Sequence, residues 1–491
     1  MIRFAPSRLW TVLVLAAIGG LAPAQETAPP ADDSPGARIN SLRRLEGQGQ
    51  AAIEAFRKAL GDPDSDVRSA AIHFLAAEAG ADAAPVIAPL VDDPEDNVAT
   101  AAVIALVEMG GEATLAPIRR ALENPAPWMR GQVVSYISDH QRAEFLDDVG
   151  ALVSDPHPRV REAVLNALQA FGDPRSFPYF MAATADAFPT IRILAVEGLV
   201  GLGEARALPR LVVLAASEDP AVRQAAGKAI VLLGGTGEHF ETLERLAADE
   251  NAAVRKGIAS ALHEKPAPEG LPLLRRLAAG DEGQRMLVVR ALKVSPNPEA
   301  GALLADRVAD DDAQVRAAAV MALAARKDPR ALDLATGAAS DESHLVRVAV
   351  ATALGDIGSP DALKTLAALV RDSDSSVRSA GIMAAGKIGT SRSIPVLLQG
   401  LKDANLVARV EAVRGLGRVN DDKIPRHLRA AAADTNLAVR LAAIEALGAW
   451  NDKKSIAFLE GLLDDPAGAV REAARKALAG SGALPTPAST P

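Results

Sequence analysis

An all-α fold, a solenoid of stacked two-helix repeats, follows from three observations on this sequence. A short phrase recurs along almost the whole chain: an acidic turn, a Val-Arg pair, then a run of small apolar residues, as in "RDSDSSVRSAGIMAAGKIGT" at 371–390. Apolar residues make up 49% of the chain but aromatic ones only 3%, so the core is built from Ala, Leu, Val and Ile, a set suited to closely spaced helices. Within each phrase the apolar positions fall at helical spacing rather than in alternation.

The period is regular. Anchors placed on the Arg of each phrase fall at 68, 99, 130, 161, 192, 223, 255, 285, 316, 347, 378, 409, 440 and 471, so that Arg68 to Arg471 is 403 residues, or 13 steps of 31. Only Ala99 is not Arg. Six residues before the anchor stands Asp, except at Asn124, Ser217 and Ala279. A fixed period in the range of about 20–50 residues means stacked structural units rather than independent domains.

Each unit reads as two helices. In the unit anchored at Arg347 the second helix puts Val350, Ala353, Leu354 and Ile357 on one face and ends at Gly358, a residue suited to a left-handed helix end. Four residues before the anchor a capping type is common: Asp64, Asp219, Asn251, Asp312, Ser343, Asp374, Asn405 and Asn436. The first helix precedes it, as in "LPLLRRLA" at 271–278 or "IPVLLQGL" at 394–401, with Pro209, Pro272 and Pro395 near the start. Two such helices cannot bury their apolar faces alone, and stacking on a neighbour closes the core.

The ends of the chain differ from the array. Arg3 and Arg8, the apolar run Leu9 to Ile18 and Ala22-Pro23-Ala24 form the pattern of a secretory signal peptide over residues 1–24, cut after Ala24. The apolar stretch is shorter than the roughly 20 residues a spanning helix needs, so no membrane span is expected after cleavage. Residues 25–38 read as a Pro-, Ala- and Asp-rich disordered linker, 39–480 as the solenoid and 481–491 as a disordered tail. The expected address is periplasmic or extracellular. The chain has no Cys, which removes disulfides, thiolate chemistry and Cys-bound metal. Its net charge of -9 argues against a nucleic-acid partner, because phosphate binding needs a basic surface.

The Asp, the Val-Arg pair and the Ala-rich helix ending Leu-Gly resemble the HEAT repeat, and the short period resembles its phycobilisome-lyase type. The resemblance covers about residues 41–480. It implies that Asp and Arg form a ladder of charged hydrogen bonds between neighbouring units. Carried over, the ladder residues are Asp62, Arg68, Asp155, Arg161, Asp310, Arg316, Asp341, Arg347, Asp372, Arg378, Asp434, Arg440, Asp465 and Arg471, with Asp341 and Arg347, Asp372 and Arg378, and Asp434 and Arg440 as rungs.

No catalytic pattern is found. The acidic turns lack the mid-loop Gly and closing Glu of a calcium loop and are expected to cap helices. The resemblance raises a bilin-lyase or a diiron-hydroxylase activity as alternatives. The latter needs four His-Glu pairs, and only His263-Glu264 is present. The expectation is a non-enzymatic scaffold without cofactor or metal, binding a protein or peptide. If second helices line the concave side, positions one and five after the anchor face the partner. In the C-terminal half these are Met286, Arg290, Ala317, Met321, Val348, Thr352, Met383, Val410, Arg414 and Leu441, an aliphatic and Met row flanked by Arg and Lys256.

Overall fold

The computed structural model describes residues 33–450 and 452–480, and the signal peptide and tail expectations lie outside them. The described residues form helices and short 3₁₀ turns without a strand, an all-α solenoid built from paired helices. The described residues divide into two compact units, one up to residue 229 and one from residue 230 on.

In both units the second helices are long and the first ones short. Ser375–Ile388 is a typical second helix of 14 residues, and Leu363–Leu369 before it has 7, entered through the 3₁₀ turn Pro360–Ala362. Asp374 caps the second helix by accepting from the main-chain N–H of Ser376 and Val377, and Gly389 ends it at φ 63° in the left-handed region. Asp64, Asp219, Asp312 and Asn405 cap in the same way, and Asn251 and Asn436 each accept one N–H, that of Ala253 and of Ala438. Ser343 takes the cap position without a side-chain hydrogen bond. Pro209, Pro272 and Pro395 sit in the first turn of their helices, where a missing N–H costs nothing.

The array begins earlier than the sequence reading placed it. Pro35–Arg43 is a helix, four residues inside the stretch 25–38 read as linker. The cause is Arg38, which binds the Asp62 carboxylate through Nε and Nη2, both at 3.0 Å. It takes the anchor position of one more second helix. The longest apolar helical run, 65–92, breaks at Gly80 (φ 51°) into the second helix of one repeat and the first helix of the next. It buries Val67, Ala71, Ile72, Phe74 and Leu75 in the first unit's core.

In the second unit the core runs without interruption from Val320 to Leu478. Side chains such as Val350, Leu354, Ile382, Leu416 and Ile444 are fully buried. Neighbouring second helices meet backbone to backbone. A Cβ placed on Gly355 would lie 2.9 Å from Ala384 Cα, and one on Gly386 would lie 2.7 Å from Gly415 Cα. The register is constant: the residue eight after one anchor meets the residue six after the next. It repeats at Gly448 against Ala477.

Candidate partner-binding face and its ladder

The ladder is set at the turn between the two helices of a repeat. Arg347 shows the pattern. Its Nη1 donates to the carbonyls of Asp341 (2.9 Å) and Glu342 (3.0 Å) in its own repeat. Its Nε and Nη2 bind the Asp372 carboxylate of the next repeat at 2.7 and 2.9 Å. Asp372 Oδ1 also accepts the Asp374 N–H at 2.8 Å. An anchor of this kind ties its own turn through a carbonyl and its neighbour through a carboxylate, which accounts for both residue types at that spacing.

The pairing therefore differs from the one implied within a repeat. Asp372 is held by Arg347, and Arg378 reaches forward to Asp403 at 2.8 and 3.0 Å. Arg68, Arg130, Arg161, Arg285, Arg316 and Arg409 pair forward in the same way with Asp93, Asp155, Asp186, Asp310, Asp341 and Asp434. Among the described residues Arg440 and Arg471 bind only carbonyls, those of Asp434 and Thr435 and of Asp465 and Pro466. Asp465 accepts the Ala467 N–H but takes no Arg among the described residues. Where Ala279 replaces the ladder Asp, Arg255 binds Gln284 Oε1 at 3.0 Å, and the buried Gln284 passes the bond on to the Leu277 carbonyl at 2.7 Å. That explains a Gln where other repeats carry Val.

Hydrogen bonds from Arg316, Arg347 and Arg378 hold the carboxyls of Asp341, Asp372 and Asp403 below the usual carboxylate range, against the opposing effect of burial. A carboxyl depressed in the folded state adds stability above its unfolded value of about 3.9 and loses it as pH falls through the folded one. The urea midpoint is expected to hold between about pH 7 and 5 and to fall below about pH 4. A variant with Asn at 341, 372 and 403 is expected to start lower and fall less steeply, and an equal slope would contradict the ladder's role.

The row read from the sequence in the second unit is half open. Met286, Ala317, Met321, Val348, Val410 and Leu441 are half-buried, and all but Met286 rest against the core cluster. Arg290, Thr352, Met383 and Arg414 are exposed. Thr352 Oγ1 bonds back to the Val348 carbonyl, and Arg414 pairs with Glu411 at 2.8 Å. Lys256 binds Asp281 at 3.0 Å.

The structure adds four side chains that the sequence reading missed. Leu345, Leu406, Val407 and Leu437 are 47, 38, 56 and 39% exposed. They stand one turn before the row: Leu406 and Leu437 precede Val410 and Leu441 by four residues, and Leu345 precedes Val348 by three. Counting backwards by helical spacing would have found them. The helices His344–Ile357, Leu406–Arg418 and Leu437–Gly448 thereby carry an apolar strip. Ser375–Ile388 between them offers Ser376 and Ser379 at those places and Met383 one turn on. In the first unit the same positions are mainly polar, and a recess of about 280 Å³ there is lined by Ser135, Arg159, Glu162 and Asn166 among others. His263, of the lone His-Glu pair, lies 3.1 Å from the Arg290 carbonyl through Nδ1 and joins two repeats.

The family model for HEAT repeats matches residues 30–107, 115–187, 180–239, 240–324, 302–386, 334–407 and 394–479. Among curated proteins no sequence matches the chain. Solved structures of similar fold include Kap121p, at 13% identity and a TM-score of 0.55 over 96% of this chain and 56% of that one. Kap121p bound to RanGTP is similar at 16% identity and a TM-score of 0.58, over 90% and 56%. Kap121p bound to Ste12p is similar at 14% and 0.54, over 92% and 55%. The chain thus spans about half the length of these structures, and the likeness is one of fold. By its repeated helix pairs, its Asp–Arg joints and the family matches along nearly its whole length, the chain belongs to the HEAT-repeat family.

Proposed function

We propose that the protein is an exported, non-enzymatic scaffold that holds a peptide or helix of another protein against the second helices of residues 344–448. The observation that carries this reading is the strip formed by Leu345, Val348, Met383, Leu406, Val407, Val410, Leu437 and Leu441, half open or exposed on consecutive second helices, whereas other exposed aliphatic side chains such as Val213 and Val294 lie outside it. An apolar surface of this extent favours a partner over water, and Met383 adds an adaptable contact. Arg414 and Arg418 at its border are exposed and favour acidic groups beside the partner's apolar face. Kap121p, whose fold is similar, has been solved bound to RanGTP and to Ste12p, which supports a protein partner for this fold.

The test uses the mature protein as bait on cell-envelope extract to identify a partner, then measures binding of that partner in purified form. Replacing Leu345, Met383 and Val407 by Glu is expected to weaken binding by more than about a hundredfold, as loss of a central apolar contact does, with the helical signal unchanged. Undiminished binding by a folded triple variant would refute the strip as the site. Fractionation of cells is expected to place the protein outside the cytoplasm, and stoichiometric iron in the purified protein would count against a non-enzymatic role.

A further inference from the structure

We infer that Arg192 is a socket for an acidic side chain of a protein partner, which completes from outside a ladder rung that the chain itself leaves open. This site lies in the first unit and is independent of the apolar strip. At nine or more joints among the described residues the Nε and Nη2 edge of the anchor Arg holds the next repeat's Asp, at 2.6 to 3.4 Å in nine of them. Arg192 is held in the same frame, since its Nη1 donates to the carbonyls of Asp186 at 2.7 Å and Ala187 at 3.0 Å. That anchoring turns the remaining edge toward the place where the next repeat supplies its ladder residue. There stands Ser217, whose shorter side chain accepts the Asp219 N–H at 3.3 Å instead. Arg192 Nε and Nη2 make no hydrogen bond among the described residues, and the side chain is half-buried. A guanidinium edge preset for two parallel bonds favours a planar carboxylate.

Phe188 supplies the second half of the site. It fills the cap position four residues before Arg192, where most other repeats carry Asp, Asn or Ser, and it is 48% exposed. The Arg161 guanidinium lies 5.6 Å from its ring centroid. Phe188, whose carbonyl accepts the Arg192 N–H at 3.2 Å, thus offers an exposed ring one turn away to an aliphatic residue near the bound Glu or Asp. Asp186 at the same turn is already engaged by Arg161, so a singly charged carboxylate is accommodated where a doubly charged phosphate would be repelled.

The probe is a fluorescein-labelled peptide Ala-Leu-Glu-Leu-Ala, compared by anisotropy with its Gln counterpart on the full chain. The Glu peptide is expected to bind about tenfold more tightly than the Gln peptide. Ser217→Asp, which closes the rung internally, is expected to abolish that preference and raise the thermal midpoint. Phe188→Ala is expected to weaken both peptides alike. Equal binding of the two peptides to the natural chain, or an unchanged preference in a folded Ser217→Asp variant, would overturn the assignment. If N-acetylglutamate amide competes as strongly as the peptide, the ligand is a free small carboxylate and the protein partner falls.

Discussion

Asp372→Ala is expected to destabilise the second unit by about 2–4 kcal/mol, read from the urea midpoint. The range lies between two limits. An exposed ion pair contributes about 0–1 kcal/mol, and removing one partner of a fully buried pair costs about 3–5. The side chains of Arg347 and Asp372 are 15 and 12% exposed, close to the buried limit. Alanine leaves three donors without their acceptor: Arg347 Nε and Nη2, and the Asp374 N–H. Asn at the same place keeps one oxygen for the Asp374 N–H and is expected to lose roughly half as much. Arg347→Met is expected to match the Ala variant, because it also releases the Asp341 and Glu342 carbonyls. Losses below about 1 kcal/mol for all three would reduce the ladder to surface decoration.

Gly386→Leu is the second large effect, expected to cost about 3 kcal/mol or more by overpacking. The new side chain would start 2.7 Å from the Gly415 Cα and 3.7 Å from Leu397 Cδ2. Backbone cannot swing aside as a flexible side chain does, so the two helices must separate along their length. That separation would strain the neighbouring Arg378 to Asp403 rung as well. Exposed Gly337 has nothing within 4 Å of its Cβ position, and Gly337→Leu is expected to change stability little. A similar loss at both positions would mean that the seam is not the cause.

Much of this architecture is legible in the chain because one joint is written many times. Asp, Val-Arg and the small residues after it recur together, and repetition averages away the local exceptions that defeat helix reading in a single domain. The caps at Asp64 or Asn405 and the left-handed Gly358 and Gly389 were readable for a local reason, since each acts on neighbours within a few residues. The direction of the ladder was not readable. Arg347 stands 6 residues after Asp341 and 25 before Asp372, and only the stacking geometry decides which carboxylate it meets. Arg38 was hidden because its surroundings are rich in Pro and Asp, and its partner Asp62 lies in the next repeat. The exposed Leu345, Leu406, Val407 and Leu437 escaped because they precede the anchor, where capping residues draw attention. Gln284 stands where most repeats carry the Val of the Val-Arg pair, and only the structure shows it to be the substitute for a missing Asp.

The most direct test of a single repeated joint is to remove one whole period. Deleting residues 372–402 leaves Arg347 facing Asp403 in the place of Asp372 and brings Gly355 against Gly415 in the place of Ala384. The shortened protein is expected to keep its ellipticity per residue and to unfold cooperatively within a few degrees of the full chain, while deletion of residues 372–386 alone is expected to abolish folding of the second unit. Loss of helical structure in the whole-period deletion, or equal tolerance of the half-period one, would contradict the claim that each repeat is joined to the next by one interchangeable seam.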